Sequence, residues 1–319
     1  MWKTPSSAAI RNERSTRVQN EQRPVVIGLG EVLWDMLPTG KQFGGAPANF
    51  AYHARVLGAD AIVVSAVGND DLGREILDRI EGLGLSRKYV AVDPEHPTGT
   101  VSVEVDARGR PDYIIHQGVA WDFIPAAPEL AELAAGTDAV CFGSLAQRGE
   151  VSRGTIRAFL AATRPDCLRI FDINLRQDFF DVETITAGLQ AANVVKLNDE
   201  ELPAVANLLQ IDVDEDLAIA SLIRQYGLKV VALTRGESGS LLVGPDARSE
   251  HPGLPADVAD TVGAGDCFTA VLAVGLLQQL DLESINDRAN RAACYVCSRH
   301  GATPAMPDEL TVSGKNRCR

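Results

Sequence analysis

Asp260-Thr261-Val262-Gly263-Ala264-Gly265-Asp266, running into the apolar stretch Cys267 to Leu280, is the segment on which the fold turns. Gly263-Ala264-Gly265 carries almost no side chain, so its backbone N–H groups are free to turn toward one point. The apolar stretch reads as a buried helix, which puts those N–H groups at a helix N-terminus, where unpaired donors and the helix dipole favour an anion. A side chain at Gly265 is expected to intrude on that anion and to demand a disfavoured φ. Asp266 is a carboxylate in the first turn, beside the place an anion would bind. The task that suits it there is taking a proton from a hydroxyl attacking a phosphoryl group. The same residues also fit an ordinary glycine turn with an aspartate at a helix start.

Outward from this segment the chain alternates strands and helices. Val25 to Gly30 reads as a buried strand ending in a glycine turn. Gly28-x-Gly30 invites a dinucleotide reading, but position 33 is Leu, so the third glycine of that fingerprint is missing. A nucleotide-dependent oxidoreductase is therefore the weaker alternative. Asp35 lies in a strand-like apolar setting, suited to polyol hydroxyls or to a solvent-facing edge. Gly44-Gly45-Ala46-Pro47-Ala48-Asn49 opens a helix to about Leu57, where glycines permit close ligand approach and Asn49 both donates and accepts. Strands at 61–67, 139–142, 168–174, 194–197 and 229–233 and helices at 74–82, 152–163 and 285–299 predict a mainly parallel sheet with helices on both faces.

Residues 98–117 break that rhythm. Val101, Val103 and Val105 alternate with Ser102, Glu104 and Asp106 before a turn at Arg108 to Asp112. The pattern is a hairpin, which with residues 31–43 makes a small β-sheet lid over 31–43 and 98–118. Ser102 and Glu104 are expected toward the substrate and the valines on an outer face that pairs with a second copy, the alternative being that the valines pack on the chain's own main domain and leave a monomer. Strand ends collect the remaining polar candidates: Asp172, Asn174 and Arg176, then Asn198 and Glu201, whose spacing also fits a capping box.

Of 319 residues, 45% are hydrophobic and the formal net charge is -13, which suits a large buried core and disfavours nucleic acid. Residues 1–23 lack a secretory h-region and read as a disordered tail, residues 24–310 as one domain, and 311–319 as a C-terminal tail. Six scattered cysteines argue for reduced thiols and a cytoplasmic protein. Cys294-x-x-Cys297 reads as buried helix packing rather than a metal site.

Gly44-Gly45-x-x-x-Asn49 with Asp260 to Asp266 resembles the two signatures of the ribokinase-like (PfkB) carbohydrate kinases. Asn198-x-x-Glu201 and Thr234-Arg235-Gly236-x-x-Gly239 resemble two further motifs between them. The resemblance spans about residues 24–308, and the stretches 118–122, 142–146 and 172–176 look most like fructokinases. It implies a three-layer α/β/α domain with a β-sheet lid, and an ATP-dependent transfer to a primary hydroxyl of a sugar, with fructose foremost. Ribose, 2-keto-3-deoxygluconate or nucleosides are the alternative acceptors, and an inactive sugar-binding regulator the alternative class. By resemblance Asp266 is the base, and Gly263, Ala264 and Gly265 hold the transferring phosphoryl. Asp35, Gly45, Asn49 and Arg176 face the sugar, while Thr234, Gly236, Gly239 and Asn290 line the nucleotide. Asn198 and Glu201 organise Mg²⁺ through water. Asp260 and Val262 contribute oxygens to a K⁺-type monovalent-cation site. The resemblance also implies a homodimer formed lid to lid.

Overall fold

The computed structural model describes residues 23–105 and 111–311, with side chains for all of these except 103–105, 111 and 112. The tails expected over 1–23 and 311–319, apart from their inner edges, lie outside it, as do the side chains of Val103, Glu104 and Val105 and residues 106–110, which include the first part of the turn expected at 108–112. In chain order the first elements are β1 (Val25–Leu29), β2 (Leu33–Leu37), β3 (Gly40–Gly44), α1 (Ala46–Val56), β4 (Asp60–Gly68), α2 (Asp71–Gly82), β5 (Val90–Asp93), β6 (Thr100–Val105) and β7 (Pro111–Ile115). There follow α3 (Pro128–Ala135), β8 (Ala139–Phe142), α4 (Glu150–Ala162), β9 (Leu168–Asp172), α5 (Val182–Ala191), β10 (Val194–Asn198) and α6 (Glu201–Leu209). The last are α7 (Glu215–Tyr226), β11 (Val230–Thr234), β12 (Ser240–Val243), β13 (Arg248–His251), α8 (Ala264–Leu277) and α9 (Leu282–Cys297).

The continuous apolar runs become the strands of a nine-stranded sheet, ordered β13-β12-β11-β10-β9-β8-β1-β4-β5. Pairing is parallel from β11 through to β5 and antiparallel only at β11–β12 and β12–β13. Alternate residues feed opposite faces. Ile27, Leu29, Val195 and Leu197 join one core with α3 to α7, while Val26 and Val194 join the other with α1, α2, α8 and α9. Three layers result, as the alternation predicts. Strand order runs one way from β1 to β4 and the other way from β1 to β8, so the carboxyl ends of β1 and β8 flank a topological switch point, where open α/β sheets bind ligands.

Helix starts follow local chemistry. Asp70, Asp181, Asp214 and Asp281 each accept an amide of the first turn of α2, α5, α7 and α9. By contrast, α1 and α8 begin on Gly45 and Gly263 with no side-chain cap. These two helices pack on one another and bring the two glycine motifs to the same end of the sheet.

β2, β3, β6 and β7 form a separate four-stranded sheet ordered β3-β2-β6-β7. Trp34 anchors one face, donating its indole N–H to the Leu72 carbonyl at 3.1 Å. Leu33, Val101 and Ile115 are buried on the other face. The register pairs Asp35 with Val101, so the first valine lies on the same face as Asp35, toward the cleft. Ser102 lies on the opposite face, within 3.0 Å of His116 Nε2. The expected assignment of faces is therefore reversed at Val101 and Ser102. Alternation defines two faces, but only packing on the main domain decides which one turns inward.

Candidate active site

A cleft of about 1330 Å³ lies between the small sheet and the carboxyl edge of the large one. Glu31 follows β1, Leu145 follows β8, Asn174 and Arg176 follow β9, Asn198 ends β10 and Thr234 ends β11, and all six line it. Asp35, Gly45 and Asn49 enter from the small sheet and α1, and Gly263, Ala264, Gly265 and Asp266 from α8. Gly236, Gly239, Asn290 and Val262 complete the set of expected residues that border the space.

Asp266 is the centre of this arrangement. Its Oδ2 accepts a 2.8 Å hydrogen bond from Asn49 Nδ2, joining motifs 217 residues apart. Burial pushes its carboxyl up from 3.8 to about 6. Asp172 adds to that rise, and the Asn49 bond, Lys196 and Arg176 oppose it. The carboxylate therefore ionises close to neutral pH, where a general base is most effective. Among the described residues no acceptor takes the amides of Gly265 and Asp266. Gly263 holds φ 79°, and a Cβ there would sit 2.6 Å from Ala302, so glycine is required for the turn into α8. The disfavoured φ expected at Gly265 belongs to Gly263 instead. A Cβ on Gly265 would meet Lys196 Nζ at 3.0 Å, which places an ammonium beside the open amides.

Lys196 is itself buried on β10 and pairs with Asp172 Oδ1 at 3.1 Å; Thr269 donates to Asp172 Oδ2 at 2.8 Å. Burial alone would lower the lysine pKa, but the Asp172, Glu201 and Asp266 carboxylates reverse this and raise it. The result is a fixed positive charge next to the uncapped start of α8.

Asn198 and Glu201 cap each other. Asn198 Oδ1 accepts the Glu201 amide at 2.8 Å, and the Glu201 carboxylate accepts the amides of Asn198 at 2.8 Å and Leu175 at 2.9 Å. Asn198 borders the cleft, together with Asp199 and Glu200, whereas Glu201 lies behind it. Asn290 donates to Ser240 Oγ at 2.7 Å and to the Asn286 carbonyl at 2.8 Å, tying α9 to β12 at the cleft wall. Asp260 accepts from the amides of Val262 and Gly301, each at 3.0 Å, and so joins two loops at the end of α8. Burial raises Asp35 to about 6, with Arg176 opposing and Asp260 adding to the shift. Among the described residues no cluster of three or more His, Cys, Asp or Glu forms a direct metal cage. Nor is any described helix long and apolar enough to cross a membrane.

A family model described as pfkB family carbohydrate kinase matches residues 30–309. The chain belongs to that family. Among its curated relatives is a fructokinase of Salmonella typhimurium, 30% identical over 299 residues, covering 88% of this chain and 95% of the relative. The solved structure of an uncharacterized sugar kinase of Pyrococcus horikoshii in complex with ATP superposes with a TM-score of 0.75 at 25% identity, covering 88% of this chain and 94% of that one. A fructokinase of Xylella fastidiosa, solved with bound ATP, shares the fold at a TM-score of 0.79 and 22% identity, covering 91% and 96%.

Within this pfkB fold, the nucleotide-dependent oxidoreductase alternative fails on geometry as well. The turn after Gly28-x-Gly30 enters β2 rather than a helix, so no helix N-terminus meets a pyrophosphate there. Sequence reasoning passed over Glu31 and Lys196. Both carry a readable signal: an acid at the carboxyl end of a buried strand, and a lysine inside an apolar one that must find a partner. Cys294 and Cys297, expected to be buried packing, are half-buried and border the cleft instead.

Proposed function

We propose that this pfkB-family sugar kinase transfers the γ-phosphoryl of ATP to a primary hydroxyl of fructose. The Asn49–Asp266 hydrogen bond carries the reading, because it fixes the base beside the uncapped start of α8. In this mechanism Asp266 takes the proton of the attacking hydroxyl. The open amides of Gly263, Gly265 and Asp266, with Lys196 beside them, hold the charge of the transferring group, whereas the expected Ala264 amide is taken by the Thr261 carbonyl at 3.3 Å, so positioning and electrostatics supply most of the acceleration. Asp35, Gly45, Asn49 and Arg176 orient the sugar; Thr234, Gly236, Gly239 and Asn290 line the nucleotide. Mg²⁺ arriving with ATP would be held through water at the cleft wall formed by Asn198, Asp199 and Glu200 and would neutralise phosphate charge, in keeping with an all-oxygen donor set and the reluctance of the ion to lose its waters, while Glu201, its carboxylate turned onto the amides of Asn198 and Leu175, would fix that turn from behind rather than face the ion. A K⁺-type ion would sit at the Asp260–Val262 turn, whose loops Asp260 already joins.

Fructose is favoured by the fructokinase among the relatives and by the chemistry of the sugar end. Glu31, Asp35 and Asp266 bring three carboxyls against one Arg176, which suits a neutral polyol better than an acidic or phosphorylated acceptor. The free cysteines at 141, 167, 267, 294 and 297 suit the reducing cytoplasm, where ATP is available. We further propose a homodimer through the small sheet, supported by the exposed Tyr113 ring, which stands at the border of the cleft on the same face as Val101. The deciding assay measures ADP release with fructose, ribose, 2-keto-3-deoxygluconate and inosine. Fructose should give the highest kcat/KM. Another acceptor tenfold better would replace it and leave the kinase reading intact, and no ADP with any acceptor would favour a sugar-binding regulator.

A further inference from the structure

Glu31 directly follows the first strand and borders the cleft, yet only 3% of the residue is exposed. Its Oε2 is closed to solvent and has no hydrogen-bond partner. Asn49 is equally buried, and although its Nδ2 is spent on Asp266, its Oδ1 is also without a partner. Two orphaned polar atoms at one end of a cleft ask for a reason, because each forfeits the free energy of a hydrogen bond when left unpaired. Nothing in the phosphoryl-transfer steps uses either atom.

We propose that Glu31 is a specificity-determining residue that holds one hydroxyl of the acceptor sugar, while Asn49 Oδ1 accepts from a neighbouring one. The inference rests on the sugar-kinase reading and adds a residue to it. Three observations converge. Glu31 lies near both Asp266 and Arg176, the groups assigned to the reacting hydroxyl and the sugar. Its own carboxyl is pushed up to about 7, mainly by burial; Asp266 adds to the rise, while the backbone amides of Glu31 and Ala46 near the carboxylate and the Arg176 charge oppose it. Near neutral pH it therefore exists in both protonation states, and a hydroxyl, being donor and acceptor at once, can satisfy either. A phosphate or carboxylate could pair with the protonated form alone and would also face Asp35 and Asp266. The backbone confines the position too, since a Cβ on Gly45 would lie 2.5 Å from the Glu31 carbonyl. The strand end is thus pressed against the start of α1, where Asn49 resides.

The test uses the full chain with Glu31→Leu and Glu31→Gln. Leu fills similar space and removes the unsatisfied oxygen; Gln keeps a polar head. D-fructose and its monodeoxy analogues are titrated calorimetrically, alongside ATP affinity, melting temperature and ADP release. Glu31→Leu should bind fructose roughly 10- to 100-fold more weakly, the range for one lost hydrogen bond to an ionisable group. Its ATP affinity should stay within twofold of wild type and its melting temperature should not fall. Glu31→Gln should lie between the two. The wild type should discriminate against one deoxyfructose that Glu31→Leu treats like fructose. Fructose affinity within twofold of wild type in the Leu variant overturns the proposal. So does a matched loss of fructose and ATP binding with a lower melting temperature, which marks a structural role. If the wild type releases ADP with fructose and both variants do so equally well, only the Glu31 inference falls. If the wild type prefers another sugar, the fructose assignment falls and the same comparison is made with that sugar. If it binds none, both readings fall.

Discussion

Replacing Asp266 by Asn should separate catalysis from folding in opposite directions. Loss of the base should lower kcat by roughly 10²- to 10⁴-fold, the usual contribution of general-base catalysis. The ionised carboxylate is meanwhile a burden on the fold. Its rise from 3.8 to about 6 corresponds to roughly 3 kcal/mol at about 1.36 kcal/mol per pH unit. Access of solvent through the cleft screens part of this, leaving about 1–2 kcal/mol. A raised carboxyl gives its full contribution to the folded state below its unfolded value, and that contribution is lost as pH rises from there through the folded one. The Asn variant should therefore match wild-type stability near pH 4 and exceed it at pH 7.5, while Asn49 keeps an acceptor in the new amide oxygen. Urea unfolding at both pH values and coupled ADP release read the two effects. The wild-type kcat/KM should also fall below about pH 6 as Asp266 takes up a proton among Asp172, Lys196, Arg176 and Glu31. A variant within threefold of wild-type activity removes Asp266 from the mechanism. An inactive variant that is also less stable at pH 7.5 makes the residue structural.

Gly265→Val should abolish ATP turnover while sugar affinity changes little, because its Cβ would press on Lys196 Nζ, 3.0 Å away, where phosphate must approach. Equal losses of both, with a lower melting temperature, would mark the turn as structural only. Sedimentation at micromolar concentration should give a dimer for the wild type and a monomer for Tyr113→Glu, which puts charge on the exposed ring position of the small sheet. A monomeric wild type, or a dimeric variant, would exclude assembly through that sheet.

Much of the molecule is legible in local chemistry. Continuous apolar runs of four to six residues, rich in valine and isoleucine and too short for a buried helix such as α8, announce the parallel strands, which are buried on both faces. The two glycine motifs and Asp266 were readable because turns into uncapped helices need residues without side chains. Weaker elements were not. β5 (VAVD) and β13 (RSEH) are sheet edges held by pairing rather than by an apolar pattern, and α5 and α7 sit between strands with modest periodicity.

What tertiary structure alone decided is who meets whom. Asn49 and Asp266 lie 217 residues apart, and only the packing of α1 on α8 puts them in hydrogen-bond contact. Val101 and Ser102 exchange their expected faces because the pairing of β6 with β2 fixes their direction, and a period of two cannot choose between inside and outside. Glu201 turns its carboxylate onto backbone amides, a choice its spacing from Asn198 left open. Glu31 and Lys196 become part of the cleft only when separate strands align their carboxyl ends. Local sequence sets which conformation each segment prefers; the protonation and partners of its acids depend on burial and on charges brought from distant parts of the chain.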